Sequence, residues 1–306
     1  MIAAIGYYIF VLPLSYLPLP ILYLFTDFFY LLLISIVPYR KRVIEGNIAR
    51  SFPEKTNAER AKIKRKFYRH FTNLLAEGVK NLTISKRALQ RRFKVVNPGL
   101  MNELYAQNKN VLLVSGHYNN WEWLITSQPF HFHHKAYGIG MPMTSAFWDK
   151  KINARRSRFG MNVIHAKNYK EELAAEKELH AVLVLSDQSP GDSKKSYWMN
   201  FLNQPTAVLF GTELMANELD YAVVFFILRK VRRGKYEMEL TTITDDARSL
   251  EWGAITEAHV QLLEKEIIAA PAYWLWSHKR WKRDIPIDLK QLKEIQREKF
   301  NAKYRS

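Results

Sequence analysis

Residues 110–122 read Asn-Val-Leu-Leu-Val-Ser-Gly-His-Tyr-Asn-Asn-Trp-Glu and are the most informative part of the chain for its fold. Its first half is a short, continuous apolar run, which is typical of a strand covered on both faces of a sheet. Gly116 then permits a tight turn, and His117 follows the end of the strand, ahead of a helix predicted over residues 121–127. Ligands of open α/β sheets bind at that carboxyl edge. The stretch therefore predicts a strand, turn and helix that present His117 at a binding edge.

Apolar strands and helices alternate along the rest of the chain. Buried strands are predicted over residues 181–185 and 222–228, and a half-exposed or edge strand is predicted over residues 236–240. Predicted helices cover residues 56–78, 98–108, 121–127, 145–159, 169–179, 207–219 and 288–303. The first of them opens with a capping box at Thr56 and Glu59. This alternation predicts an α/β fold with a mixed, mostly parallel sheet flanked by helices.

The first 39 residues contain one charged side chain, Asp27, and are otherwise apolar, aromatic or small. Three prolines divide this segment into two halves that are each slightly shorter than the roughly 20 residues of a membrane span: Pro13, Pro18 and Pro20. We predict a hydrophobic, helical membrane anchor over residues 1–39 and a second domain over residues 40–306. One kinked span and a hairpin that dips into one leaflet both fit. The alternative is a buried helix of a soluble protein.

The chain is strongly basic, with 46 Lys and Arg against 29 Asp and Glu and a net charge of +17. Between Arg40 and Lys94 there are 17 basic and 4 acidic residues, so most of the charge follows the apolar segment. Such a surplus favours an anionic partner. The chain has no cysteine, which excludes disulfides, thiolate nucleophiles and iron–sulfur clusters. If the apolar segment spans, the basic residues Arg40–Arg42 place the following domain in the cytoplasm.

His117 and Glu122 are the first candidates for chemistry. If the histidine lies in the turn and the glutamate in the helix, the carboxylate can reach back to one ring nitrogen. That contact would fix the tautomer and raise the basicity of the other nitrogen. The alternative is that His117 caps the helix and Glu122 is a surface residue.

Two further groups of polar residues accompany this pair. Asp187 follows the strand over residues 181–185 and opens into the same crevice as His117 if the two strands are parallel; an ordinary loop aspartate is the alternative. The guanidinium groups of Arg155, Arg156 and Arg158 can bind phosphate, or they form a solvated helix face. Phe130–His134 contains three histidines without nearby carboxylates, and we predict no metal site. The chain lacks the phosphate-binding, dinucleotide-binding and serine-nucleophile motifs.

The sequence resembles the late acyltransferases of lipid A biosynthesis, a branch of the lysophospholipid acyltransferase superfamily defined by a His-x4-Asp/Glu motif. The resemblance covers nearly the whole chain. It rests on residues 47–54 (Asn-Ile-Ala-Arg-Ser-Phe-Pro-Glu), on the motif at residues 117–122, on the Arg-x-Arg at residues 156–158, on Asp187 and on the tryptophan-rich residues 270–282. Residues 201–211 and 187–189 depart from the family pattern.

The resemblance implies transfer of a fatty acyl group from a thioester of acyl carrier protein or coenzyme A to a hydroxyl or amine of a lipid acceptor. A lipid A precursor is the acceptor that it favours, with a lysophospholipid or an amino-acid lipid as alternatives. It makes His117 the general base and Glu122 its orienting partner. Arg156, Arg158 or backbone amides near Gly116 are candidates for stabilising the oxyanion, with Asp187 organising them. The only cofactor-like requirement is the thioester co-substrate.

These expectations place the protein at the bacterial inner membrane, with its catalytic domain facing the cytoplasm and its basic surface against anionic lipid. A nucleic-acid-binding protein would explain the charge but not the apolar start, so we predict no nucleic-acid partner. A membrane-anchored, non-enzymatic basic binding protein is the alternative from a different class. The sequence makes no prediction of the oligomeric state.

Overall fold

A computed structural model describes residues 2–37 and 39–305 of the chain. It contains nine strands: β1 (Phe93–Val95), β2 (Val111–Ser115), β3 (Lys135–Gly140), β4 (Asn162–His165), β5 (His180–Leu185), β6 (Tyr197–Phe201), β7 (Gln204–Val208), β8 (Ala222–Arg232) and β9 (Lys235–Thr244). Seven strands form one sheet in the order β1-β9-β8-β2-β5-β3-β4, and β6 pairs with β7 as a separate hairpin. Within the large sheet only β8 and β9 pair in antiparallel fashion. The predicted α/β fold with a mixed, mostly parallel sheet is confirmed.

The described residues also form thirteen α-helices: α1 (Ile2–Gly6), α2 (Leu12–Tyr16), α3 (Leu19–Ser35), α4 (Lys41–Ser51), α5 (Asn57–Lys80), α6 (Lys86–Gln90), α7 (Gly99–Ala106), α8 (Trp121–Ser127), α9 (Ala146–Arg156), α10 (Tyr169–Ala175), α11 (Gly211–Leu219), α12 (Ala254–Ala269) and α13 (Leu289–Tyr304). A π-helical turn, Tyr7–Val11, joins the first two. The helices cover both faces of the large sheet.

Strand β2 lies at the centre of two hydrophobic cores. Val111 and Leu113 face a core that also contains Leu22 of α3 and Trp123 of α8. The alternate side chains of the strand face a second core on the other side of the sheet, which includes Met215 of α11. All five residues of β2 are buried. The continuous apolar run therefore has the burial on both faces that its sequence predicts.

Several predicted elements differ from the observed ones. The strand predicted over residues 236–240 lies within β9 and has the alternating burial of a half-exposed strand, but it is not an edge, because β1 pairs along its other side. The helix predicted from residue 207 starts only at Gly211, since the preceding residues pair in β7. The sequence predicts four of the nine described strands and does not predict β1, β3, β4, β6, β7 or the helix α12. Two glycines interrupt β3, and β4 has only four residues.

The capping box at the start of α5 forms as its sequence predicts. The backbone amide of Glu59 donates to Thr56 Oγ1 (3.3 Å), and the backbone amide of Thr56 donates to Glu59 Oε2 (2.8 Å). These two bonds satisfy amides that have no partner within the helix. The helix then continues for 24 residues to Lys80.

The N-terminal helices lie against the rest of the chain. Leu19 and Leu22 of α3 are buried in the core, while Asp27 forms salt bridges with Arg233 and Arg69. Among the residues that the structure describes, no helix is both long enough and apolar enough to cross a membrane. The transmembrane span predicted within residues 1–39 is therefore unsupported. The division of the chain into an anchor and a second domain at residue 39 stays a prediction.

Gly116 lies where three elements approach one another closely. A Cβ atom at this position would be 2.6 Å from Leu263 Cδ2 of α12 and 2.9 Å from Asp187 Cβ and Cγ. Separations of this size are well inside van der Waals contact, and two of these atoms lie close to the backbone of the loop after β5. A side chain here must push α12 and the loop apart.

We expect Gly116→Ala to lower the free energy of unfolding by about 1–3 kcal/mol, the usual range for overpacking. Chemical denaturation followed by circular dichroism measures this change. Gly99→Ala is the matched control, because no atom lies within 4 Å of the added Cβ there. Equal stability of the two variants would contradict the packing described for Gly116.

Candidate active site

His117 and Asp187 meet at the carboxyl edge of the large sheet. Strands β2 and β5 are parallel neighbours, with Ser115 in register with Leu185, so the residues that follow them emerge side by side. His117 Nδ1 lies 2.6 Å from Asp187 Oδ1, and the His117 backbone amide donates to Asp187 Oδ2 (2.8 Å). The carboxylate therefore fixes both the imidazole ring and the backbone of the turn that carries it.

The Asp187 carboxylate is almost completely buried, with 4% of its side chain exposed. Burial by itself would raise the pKa of Asp187. The charge of His117 and the hydrogen bonds from His117 and from Trp274 Nε1 (2.8 Å) outweigh burial and lower that pKa to about 2. An anionic Asp187 favours a proton on His117 Nδ1 and leaves the lone pair on Nε2.

The His117 side chain is 16% exposed, and Nε2 is the ring nitrogen that Asp187 does not bind. Its nearest hydrogen-bonding partner is Gln188 Nε2 at 3.4 Å, which is a long contact. The ring of Trp121 packs edge-on against the imidazole, with 5.0 Å between ring centroids. This arrangement can take up a proton at Nε2 while Asp187 holds the opposite nitrogen.

Glu122 does not contact the His117 ring, so the contact predicted between them is wrong. Its carboxylate binds the guanidinium groups of Arg155 and Arg156 instead. The chain turns through Asn119, at φ 53°, and α8 begins at Trp121, which leaves Glu122 facing α9. Burial would raise the pKa of Glu122, but the two arginines lower it to about 2.

The arginine triplet is held by internal partners. Arg158 donates to the backbone oxygens of Asn81 (2.7 Å) and Ile84 (3.0 Å), so it connects the segment after α5 to the end of α9. Neither Arg156 nor Arg158 has a hydrogen bond to Asp187 or His117 among the described residues. Asp187 contacts the His117 ring and the backbone amide that follows Gly116, and in the part of the chain that the structure describes it forms no hydrogen bond with either arginine. The predicted oxyanion role of Arg156 and Arg158 stays a prediction.

An apolar cavity of about 330 Å³ adjoins the motif. Trp121 lines it on one side and also contacts His117, while Glu122 and Arg155 form its polar end. One wall has no counterpart in the sequence-based predictions. It consists of α5 side chains at helical spacing and of one residue just after the helix: Phe71, Leu74, Leu75, Gly78 and Val79, followed by Leu82. The period of three and four residues was the available signal. Tyr7 and Val11 of the apolar N-terminal segment complete the lining.

The tryptophan-rich segment over residues 270–282 contributes directly to the site. Besides the bond from Trp274 to Asp187, His278 Nε2 accepts a hydrogen bond from the Ser189 backbone amide (3.0 Å) and so holds the loop after β5. The histidines near residue 131 do not assemble with carboxylates; His134 Nε2 instead lies 3.0 Å from the Lys109 backbone oxygen. In the described part of the chain no group of His, Asp and Glu side chains could hold a metal ion.

Known proteins of one family are similar to this chain over most of its length. The sequence profile of the bacterial lipid A biosynthesis acyltransferases matches residues 2–283. The lipid A biosynthesis lauroyltransferase of Escherichia coli K12 is 23% identical over 267 residues, which cover 87% of each chain. The lipid A biosynthesis acyltransferase of Haemophilus influenzae is 26% identical over 280 residues, which cover 81% of this chain and 84% of that protein. The chain belongs to the bacterial lipid A biosynthesis acyltransferase family and is an acyltransferase.

Proposed function

We propose that this acyltransferase moves a fatty acyl group from a thioester to a hydroxyl or amine of a lipid A precursor, with His117 as general base and Asp187 as its orienting partner. The observation that carries the proposal is the 2.6 Å contact between His117 Nδ1 and Asp187 Oδ1, which leaves Nε2 available for a proton. The family and both named relatives support a lipid A precursor as acceptor.

The transfer proceeds by direct attack. His117 Nε2 removes the proton from the acceptor hydroxyl or amine as its oxygen or nitrogen attacks the thioester carbonyl. The tetrahedral oxyanion collapses, the carbon–sulfur bond breaks, and the imidazolium returns the proton to the departing thiolate. Asp187 stabilises the imidazolium while it carries that proton. No acyl-enzyme forms. The guanidinium of Arg156 stabilises the oxyanion, because the backbone amides that follow Gly116 already donate hydrogen bonds within the protein.

The apolar cavity receives part of a fatty acyl chain. Its walls come from apolar side chains of α5, α8 and α9 and of the N-terminal segment, and its position beside Trp121 brings a chain close to His117. Acyl carrier protein or coenzyme A supplies the thioester. A lysophospholipid or an amino-acid lipid remains the alternative acceptor, because the segment over residues 201–211 departs from the family pattern.

The outer face of the N-terminal helices binds the membrane. On α3 four large apolar side chains are more than half exposed: Leu24, Phe25, Phe28 and Leu31. Exposed apolar surface of this extent is characteristic of interaction sites. The basic residues Lys41 and Arg42 follow it and are exposed as well, which suits an anionic headgroup layer. We propose that this face lies in the cytoplasmic interface of the bacterial inner membrane.

We expect Asp187→Asn to lower kcat on the order of 10²–10⁴-fold, because the ring loses the group that orients it and stabilises its charged form. His117→Ala should give a loss in the same range. Asp192→Asn is the matched control, since Asp192 is an exposed aspartate of the same loop. The measurement is steady-state transfer from a defined acyl thioester to a purified lipid A precursor. A kcat for Asp187→Asn within threefold of wild type would contradict the proposed pair.

We expect Phe25→Asp combined with Phe28→Asp to reduce partitioning onto vesicles of phosphatidylethanolamine and phosphatidylglycerol at least about tenfold, because two apolar anchors are lost. Vesicle flotation measures the partitioning. Ile287→Asp is the control, because Ile287 is fully exposed and lies outside the N-terminal helices. Equal flotation of the double variant and the wild type would exclude this face as the membrane contact.

A further inference from the structure

The mechanism leaves unused a carboxylate that is completely buried beside the catalytic turn. Glu77, near the end of α5, accepts hydrogen bonds from three side chains. Tyr23 Oη donates to Oε1 (2.7 Å), while Tyr236 Oη (2.8 Å) and Asn120 Nδ2 (2.6 Å) donate to Oε2. Burying a carboxylate is unfavourable unless its oxygens are satisfied, and here donors from three separate elements satisfy them.

Asn120 is bound on both sides of its amide. Its Oδ1 accepts a hydrogen bond from the Trp123 backbone amide (3.0 Å) as the N-cap of α8, and its Nδ2 donates to Glu77. Rotating the amide by half a turn would break both bonds. Glu77 also accepts from Trp123 Nε1 (3.1 Å) through its backbone oxygen. One residue of α5 therefore fixes the position of the first turn of α8 at two points.

The catalytic turn is consequently held at its two ends by different carboxylates. Asp187 binds the backbone amide and ring of His117 at the start of the turn, and Glu77 binds Asn120 three residues later. Between them, Asn119 is fixed by a bond from its Nδ2 to the Leu228 backbone oxygen (2.6 Å). The direction of the His117 side chain depends on where both ends of the turn lie.

We propose that Glu77 is a positioning residue for acyl transfer, which acts through Asn120 to set the orientation of His117. The inference rests on the proposed function of His117. Tyr23 lies on α3, so the same carboxylate also joins the apolar N-terminal segment to the turn. Glu77 touches neither the imidazole nor the apolar cavity, and its effect is on the geometry of the turn alone.

The test compares Glu77→Met with Asn120→Ser. The methionine keeps the length of the side chain but accepts no hydrogen bond from Asn120. The serine still caps α8, but its hydroxyl stands on a shorter side chain and lies farther from Glu77 than the amide nitrogen of Asn120 that it replaces. Each change should lower kcat about 10–100-fold, the range expected for misplacement of a catalytic group. Glu77→Met should also leave the KM for the thioester within about twofold, because Glu77, unlike Asn120, does not line the apolar cavity. If Glu77 acts through Asn120, the double variant should lose no more kcat than either single variant.

Two variants separate positioning from stability. Tyr236→Phe removes a donor from the same carboxylate oxygen but leaves Asn120 in place, so it should lower the melting temperature and keep kcat within about twofold. Glu77→Gln can turn its carbonyl oxygen toward Asn120 and its amide toward Tyr23, so it should restore most of the kcat that Glu77→Met loses. If Glu77→Met does not fold, the kcat of Glu77→Gln is compared with that of Asn120→Ser instead.

The positioning role is overturned if Glu77→Met or Asn120→Ser keeps wild-type kcat, or if their losses multiply in the double variant. It is also overturned if Tyr236→Phe loses as much kcat as they do, because the effect then follows stability. His117→Ala is assayed in parallel. Transfer that survives His117→Ala would overturn the proposed function and the inference together. Loss in His117→Ala with full kcat in Asn120→Ser would overturn the positioning role alone.

Discussion

The bond between His117 and Asp187 is the interaction on which the rest of the site depends. It exists because β2 and β5 are parallel neighbours, which brings two loops 70 residues apart in sequence to one edge of the sheet. Gly116 supplies the space for the close approach, since any side chain there would meet Asp187 and Leu263. Trp274 adds a donor that keeps the buried carboxylate charged. The tryptophan-rich segment over residues 270–282 thereby holds the carboxylate that binds His117.

The N-terminal segment combines two environments that composition alone does not separate. Its inner side chains are buried against α5 or line the cavity, as Leu22 and Tyr7 do, whereas outer ones such as Phe28 are exposed. A span, a cavity wall and an interfacial face all require apolar residues. The length of the apolar run predicts a membrane anchor, either as a kinked span or as a hairpin in one leaflet, although α3, which begins between Pro18 and Pro20, has only 17 residues. The three-dimensional packing of α3 supplies the distinction that hydropathy cannot.

The sequence was most informative where the interactions are local. The strand, turn and helix around His117 and the capping box of α5 depend on residues a few positions apart, and the structure has both. The partner of His117 could not be predicted in this way. Spacing along the chain indicates Glu122, whereas His117 binds Asp187, which is 70 residues away in sequence. Glu122 binds Arg155 and Arg156, which come from α9. Contacts between distant elements depend on strand order, which local patterns do not contain.

The most direct test of this account is the proton on His117 Nδ1. A ring proton shared with a carboxylate at 2.6 Å should be strongly deshielded and protected from exchange, so that it gives a distinct downfield resonance in protein labelled with ¹⁵N-histidine. We expect this resonance in the wild type and in Glu122→Gln, and we expect it to be absent from Asp187→Asn. Persistence in Asp187→Asn together with loss in Glu122→Gln would show that Glu122 orients the histidine and would contradict the account.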